Sequence, residues 1–119
     1  ACVLQAAAQG QYHLTTHTFS EAILFSGIYD LRPLVDTYVN QPLGLNLNQA
    51  AKLSPGLKQN HQLPPCQLLW GANETAEFKR QSQQFAHFLK EDGVPCQTAE
   101  VPDRNHFDVV YTLASLIKP

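Results

Sequence analysis

The chain contains no methionine, so it carries no initiator residue and is expected to be a processed product or a piece of a longer protein. It has no run of about twenty apolar residues, the length a helix needs to cross a hydrocarbon core, so no membrane span is expected. No basic segment precedes Ala1-Cys2-Val3-Leu4-Gln5-Ala6, and no secretory signal is expected. Excess charge is absent too: a formal net charge of −2 gives no electrostatic case for nucleic acid or an anionic membrane. No Gly-rich loop follows a strand, which argues against a nucleotide binder. The cysteines are few and odd in number: Cys2, Cys66 and Cys96 lie far apart, with no Cys-x-x-Cys pair. They are expected to be buried, reduced thiols of a cytoplasmic protein, not a disulfide framework or a zinc site. No metal or other cofactor is expected. The Gly-x-Ser-x-Gly turn that would carry a serine nucleophile is also missing.

What is present describes a globular chain. With 119 residues, 44% hydrophobic and 15% charged, it has the length for one domain with a modest core. Residues 1–9 are rich in helix formers and predict a helix, ended by Gly10. His13 and His17, four apart in the polar stretch that follows, would share one helical face. No acidic third ligand accompanies them, and two solvated loop histidines are the plainer reading.

Ala22-Ile23-Leu24-Phe25 is a continuous apolar run, as expected of a parallel strand buried on both faces. Ser26-Gly27 breaks it. Asp30 then precedes Pro33 and suits a turn cap, although its place after a strand leaves a catalytic role open. Residues 34–64 are polar and rich in Asn, Gln, Leu and Pro, and an excursion of this length between strands suggests an inserted cap or lid. Short helices are predicted over 34–39 and 48–53, with Asn46 or Asn48 capping the second. Ser54 has the second glycine of a nucleophile turn but not the first. Pro55 also removes the N–H that an oxyanion hole would need, so Ser54 is expected to be a turn or cap residue.

A second strand is predicted over 66–70, a turn over 71–73, and a helix over 76–91 with Thr75 as N-cap and Gly93 as terminator. Phe78, Ser82, Phe85, Phe88 and Leu89 would form its buried face. A third strand over 97–101 leads to a last helix over 107–117. Strands alternating with helices define an α/β class with a mostly parallel sheet flanked by helices.

In such sheets ligands bind beyond the carboxyl ends of the strands, and Glu74 and His106 both fall at such ends. Imidazole is the side chain whose ordinary titration falls near neutrality, so it can take a proton from a hydroxyl and return it to a leaving group. A carboxylate on its other nitrogen fixes tautomer and orientation. Glu74 is the candidate acid and His106 the candidate base, in the chain order of α/β-hydrolase triads. Taken singly, each could be a solvated helix-start or loop residue. Asp103 and Asp108 flank His106 as rival acids, Asp103 suiting a brace within the turn and Asp108 the first turn of the last helix.

Several stretches go further. Phe25-Ser26-Gly27-Ile28-Tyr29-Asp30-Leu31-Arg32-Pro33-Leu34, Leu53-Ser54-Pro55, Gly71-Ala72-Asn73-Glu74 followed by Glu77-Phe78-Lys79-Arg80-Gln81-Ser82, and Asn105-His106-Phe107-Asp108 together resemble the kynurenine formamidase (arylformamidase) branch of the α/β-hydrolases. The resemblance covers almost the whole chain and implies the C-terminal half of one α/β-hydrolase domain. It implies a serine hydrolase that cleaves N-formyl-kynurenine to kynurenine and formate, or a related aryl amide or ester. Glu74 would be the triad acid, where many relatives carry aspartate, and His106 the base. The nucleophile and a His-Gly-Gly oxyanion motif would lie upstream of Ala1. The implied partners are a small aromatic formamide or ester and the missing N-terminal half of the domain. Alone, the chain is expected to be inactive. Its open apolar sheet edge is expected to drive self-association, with a homodimer as one outcome. The alternative is a non-catalytic α/β binding or interaction domain.

Overall fold

Three parallel strands lie side by side in chain order: β1 (Ala22–Phe25), β2 (Cys66–Gly71) and β3 (Cys96–Val101). The computed structural model describes residues 5–6, 18–59 and 63–117. Gln5 and Ala6 are helical, while the rest of the helix expected over 1–9, together with His13 and His17, lies outside the described residues. The register sets Ala22 opposite Cys66 and Cys66 opposite Cys96, so two cysteines thirty positions apart become neighbours.

Only β2 has a strand on each side among the described residues, and burial follows from that. Leu68, Leu69 and Trp70 are buried. In β1, Ala22 is buried but Ile23, Leu24 and Phe25 are half-buried, short of the two-sided burial that their sequence predicts. β3 is more exposed still, in keeping with Gln97, Thr98 and Glu100 along it. Trp70 and Glu100 are partners in register, and the indole Nε1–H donates to the Glu100 carboxylate at 3.0 Å.

The long helix α2 spans Ala76–Glu91, as its periodicity predicts, and Gly93 closes it with φ 78°. Thr75 occupies the N-cap without a side-chain cap bond. The buried stripe is Gln81, Ser82, Phe85, Ala86 and Leu89, with Phe78 and Phe88 only half-buried. Gln81 is inside because its amide bridges to the segment after β1. Its Oε1 accepts from the N–H groups of Tyr29 (3.1 Å) and Asp30 (2.9 Å), and its Nε2 donates to Asp30 O (2.9 Å). Phe85 packs on Tyr29 with ring centroids 4.1 Å apart, against Leu68 and Leu89.

The excursion after β1 is pinned at several points. α1 spans Leu47–Leu53 and begins with a capping box: Asn46 accepts from Gln49 N (2.8 Å) while the Gln49 side chain accepts from Asn46 N (3.0 Å). In place of the helix predicted over 34–39 there are two single 3₁₀ turns, Arg32–Leu34 and Tyr38–Asn40. The Asn40 amide explains the difference. It donates to Val35 O and Leu45 O and accepts from Leu45 N, folding the segment back on itself. Ser54 is fully buried at the end of α1; its hydroxyl accepts from Leu31 N (2.7 Å) and donates to Ala50 O (2.6 Å).

The last helix is shorter than its apolar pattern suggests. A 3₁₀ turn, Val109–Thr112, leads into α2's small successor α3 (Leu113–Leu116). Asn105 Oδ1 accepts from the N–H groups of Phe107 (2.8 Å) and Asp108 (3.0 Å), and Asp108 Oδ1 accepts from Asn105 N (2.7 Å). This reciprocal side-chain clasp holds 105–108 as a turn and delays the helix.

Candidate active site

Each strand ends in a residue that reaches one small polar cluster. Ser26 follows β1, Glu74 sits three residues beyond the last residue of β2, and His106 sits five beyond the last residue of β3. Glycine lets the last two segments meet. Gly71 lies under the backbone of Arg104, while Ala72 N donates to Val101 O and Asn73 N donates to Arg104 O, both at 2.9 Å.

The Glu74 side chain is completely shielded from solvent, yet both of its oxygens are used. Oε2 accepts from the Ser26 hydroxyl at 2.5 Å and from Gly71 N. Oε1 faces His106 Nδ1 at 2.8 Å. Burial by itself pushes the carboxyl up. The hydrogen bonds from Ser26, Gly71 and His106 together outweigh it and hold the group below the usual carboxylate range.

The His106 ring is placed by stacking as well as by Glu74. Phe78 of α2 lies on it with centroids 4.2 Å apart and planes 23° apart, and Phe107 meets it edge-on at 5.5 Å. The side chain is 40% exposed, so the ring is braced on one side and open on the other. When Nδ1–H donates to a carboxylate, the neutral imidazole carries its free lone pair on Nε2, the state a general base requires.

Two kynurenine formamidases are similar to this chain. That of Danio rerio is 32% identical over 97 residues, covering 77% of this chain and 33% of the relative. That of Salmo salar is 32% identical over 109 residues, covering 87% and 37%. The chain is kynurenine formamidase-like. It spans about a third of the length of the curated relatives it matches. No family model matches it.

Solved structures agree on the fold of this kynurenine formamidase-like chain. A candidate thioesterase from Silicibacter sp. tm1040 superposes with TM-score 0.70 at 23% identity, over 79% of this chain and 34% of that one. Esterase 2 of Thermogutta terrifontis gives 0.55 at 20% identity, over 75% and 33%. Dipeptidyl peptidase 4 of Porphyromonas gingivalis gives 0.60 at 19% identity, over 85% and 15%. The parallel sheet and its helices are therefore a portion of the α/β-hydrolase fold.

The rival acids go elsewhere. Asp108 is the N-cap of the 3₁₀ turn and part of the Asn105 clasp. Asp103 is exposed in the loop, with a left-handed backbone (φ 59°). Asp30 lies one residue before the N-cap Leu31 of the next turn, accepting from Arg32 N at 3.0 Å and pairing with the Arg32 guanidinium at 2.8 Å. Sequence reasoning passed over Ser26, which it took only as a strand breaker. The available signal was its position directly after a strand, the same placement that singled out Glu74 and His106. Among the described residues no group of three or more His, Cys, Asp or Glu side chains is arranged to hold a metal ion, and no helix is long and apolar enough to cross a membrane.

Proposed function

We propose that this chain is part of a serine hydrolase of the arylformamidase and esterase type, with Glu74 and His106 as the acid and base of its triad. What carries the proposal is the 2.8 Å contact between a fully shielded carboxylate and the Nδ1 of a half-open imidazole, at the carboxyl ends of adjacent parallel strands. In this scheme a serine from sequence outside these residues attacks the substrate carbonyl carbon. His106 Nε2 takes the serine proton, and Glu74 stabilises the resulting imidazolium. Collapse of the tetrahedral intermediate expels the amine or alcohol, which receives that proton. Water then attacks the acyl-enzyme with His106 again as base, releasing the acid and regenerating the serine.

The substrate is N-formyl-kynurenine or a related aryl amide or ester, an inference that leans on the similarity to kynurenine formamidases. Residues 34–64 would form part of the wall or lid over it. That segment exposes Tyr38, Leu43 and Leu47, side chains suited to an aromatic ligand.

The test is fluorophosphonate labelling of the full-length protein, with formate release from N-formyl-kynurenine measured alongside. The expected result is one labelled serine outside this chain, and labelling abolished by His106→Ala. A folded full-length protein that neither labels nor hydrolyses would overturn the proposal in favour of a non-catalytic interaction domain.

A further inference from the structure

We infer that Ser26 is a positioning residue for the acid of the site: its hydroxyl holds one oxygen of Glu74 so that the other is presented to His106. The assignment rests on the triad proposed above. The groups that face the Glu74 carboxylate come from all three strands. They are the Ser26 hydroxyl after β1, the Gly71 N–H of β2 and the His106 ring after β3, and of these only His106 can carry charge. Ser26 and Gly71 share Oε2, which among the described residues leaves Oε1 to the imidazole. Without the hydroxyl, the carboxylate would keep one fixed donor and could rotate about its terminal bond.

The backbone at Ser26 strengthens the case. Ser26 has φ 44°, a left-handed conformation that glycine adopts freely and serine adopts only at a cost. Its N–H is fixed by Leu69 O at 2.9 Å, so the sheet imposes the position. Glycine would relieve that strain, and glycine is the very next residue. The serine stands where its side chain is conformationally unfavourable, it is 5% exposed, and its hydroxyl reaches Glu74. Strain beside a candidate active site points to a role for the side chain.

The experiment compares full-length wild type with Ser26→Ala and Ser26→Gly. Turnover of N-formyl-kynurenine and of 4-nitrophenyl acetate is followed across pH, and the Glu74 carboxyl is titrated by carbon-13 NMR. Both variants should lose about 10- to 100-fold in kcat, the usual cost of removing an outer supporting hydrogen bond, with KM little changed. In both, the Glu74 midpoint should move to higher pH, because a donor to the charged form is gone. Ser26→Gly should melt at or above Ser26→Ala, which separates backbone strain from the hydrogen bond. A lower melting temperature with unchanged kcat and an unchanged Glu74 midpoint would overturn the inference. If wild type itself is inactive, the triad proposal fails, but the carboxyl titration still decides. A Glu74 midpoint that moves in both variants upholds Ser26 as the group that holds it, and one that stays put overturns it.

Discussion

Gly71 and Arg104 touch backbone to backbone: a Cβ on residue 71 would lie 2.2 Å from the Arg104 carbonyl oxygen and 2.6 Å from its carbon. Both atoms belong to the main chain of the loop that carries His106, so no side chain can swing aside. Gly71→Ala should push the loop from the end of β2 and lengthen the Glu74–His106 contact. We expect a stability loss of about 1–3 kcal/mol from overpacking. Turnover in the full-length protein should fall by about a hundredfold from misplacement of the proposed base, His106. Thermal melts and steady-state kinetics check the two separately.

Glu74→Gln tests the acid by reversing the proton at His106. A glutamine whose oxygen accepts from Ser26 and Gly71 turns its NH₂ toward Nδ1, which then must accept, leaving the proton on Nε2 where the base is needed. Turnover should fall by about 10³–10⁴-fold with the fold intact. Near-normal kinetics would move the acid role to another residue.

Glu74 also sets a pH dependence of stability. Its carboxyl is held below the usual range, so the stabilisation it contributes is fully present above the ordinary carboxylate pKa and is lost as pH falls through the lowered native value. Melting temperature measured against pH on the acid side should drop in wild type and drop less steeply in Glu74→Gln.

Two neighbours on α2 should behave oppositely. Phe85 is 1% exposed and packs on Tyr29, and Phe85→Ala should cost about 3–5 kcal/mol, read by denaturant unfolding. The Ser82 hydroxyl is fully buried with no hydrogen-bond partner among the described residues. Ser82→Ala should therefore be neutral or stabilising.

Cys66 is buried at 2% exposure. Burial first, and then the neighbouring Cys96, push its thiol up to about 11. At pH 7.5 its alkylation by iodoacetamide should be slower than that of a free thiol by about two orders of magnitude, because only the thiolate reacts. Peptide mass spectrometry over a pH series should show the rate climbing well past pH 9.

Much of this was written locally. The apolar runs at Ala22–Phe25 and Cys66–Gly71, the helical stripe of Ala76–Glu91 and the terminator Gly93 are short-range signals, and the elements appear where those signals lie. The positions of Glu74 and His106 beyond strand ends were legible because a strand followed by a polar turn is itself a local pattern. The failures are equally physical. Nothing near residue 34 announces that the Asn40 amide will bind Val35 and Leu45 and break a helix into turns. Nothing near residue 107 announces that the Asn105–Asp108 clasp will compete with the helix that the apolar spacing favours.

Local patterns were enough for the kind of chain: alternating strands and helices, a parallel sheet, and an acid and a histidine beyond strand ends. Tertiary structure alone decided what meets. Register, a property of pairing across the sheet, brought Cys66 opposite Cys96 and set three strand ends side by side. That adjacency converted Ser26 from a strand breaker into a donor to Glu74, and Gly71 from a turn residue into the contact that lets His106 approach. Such partners lie tens of residues apart, and only the closure of long loops by burial of the core brings them within hydrogen-bonding distance.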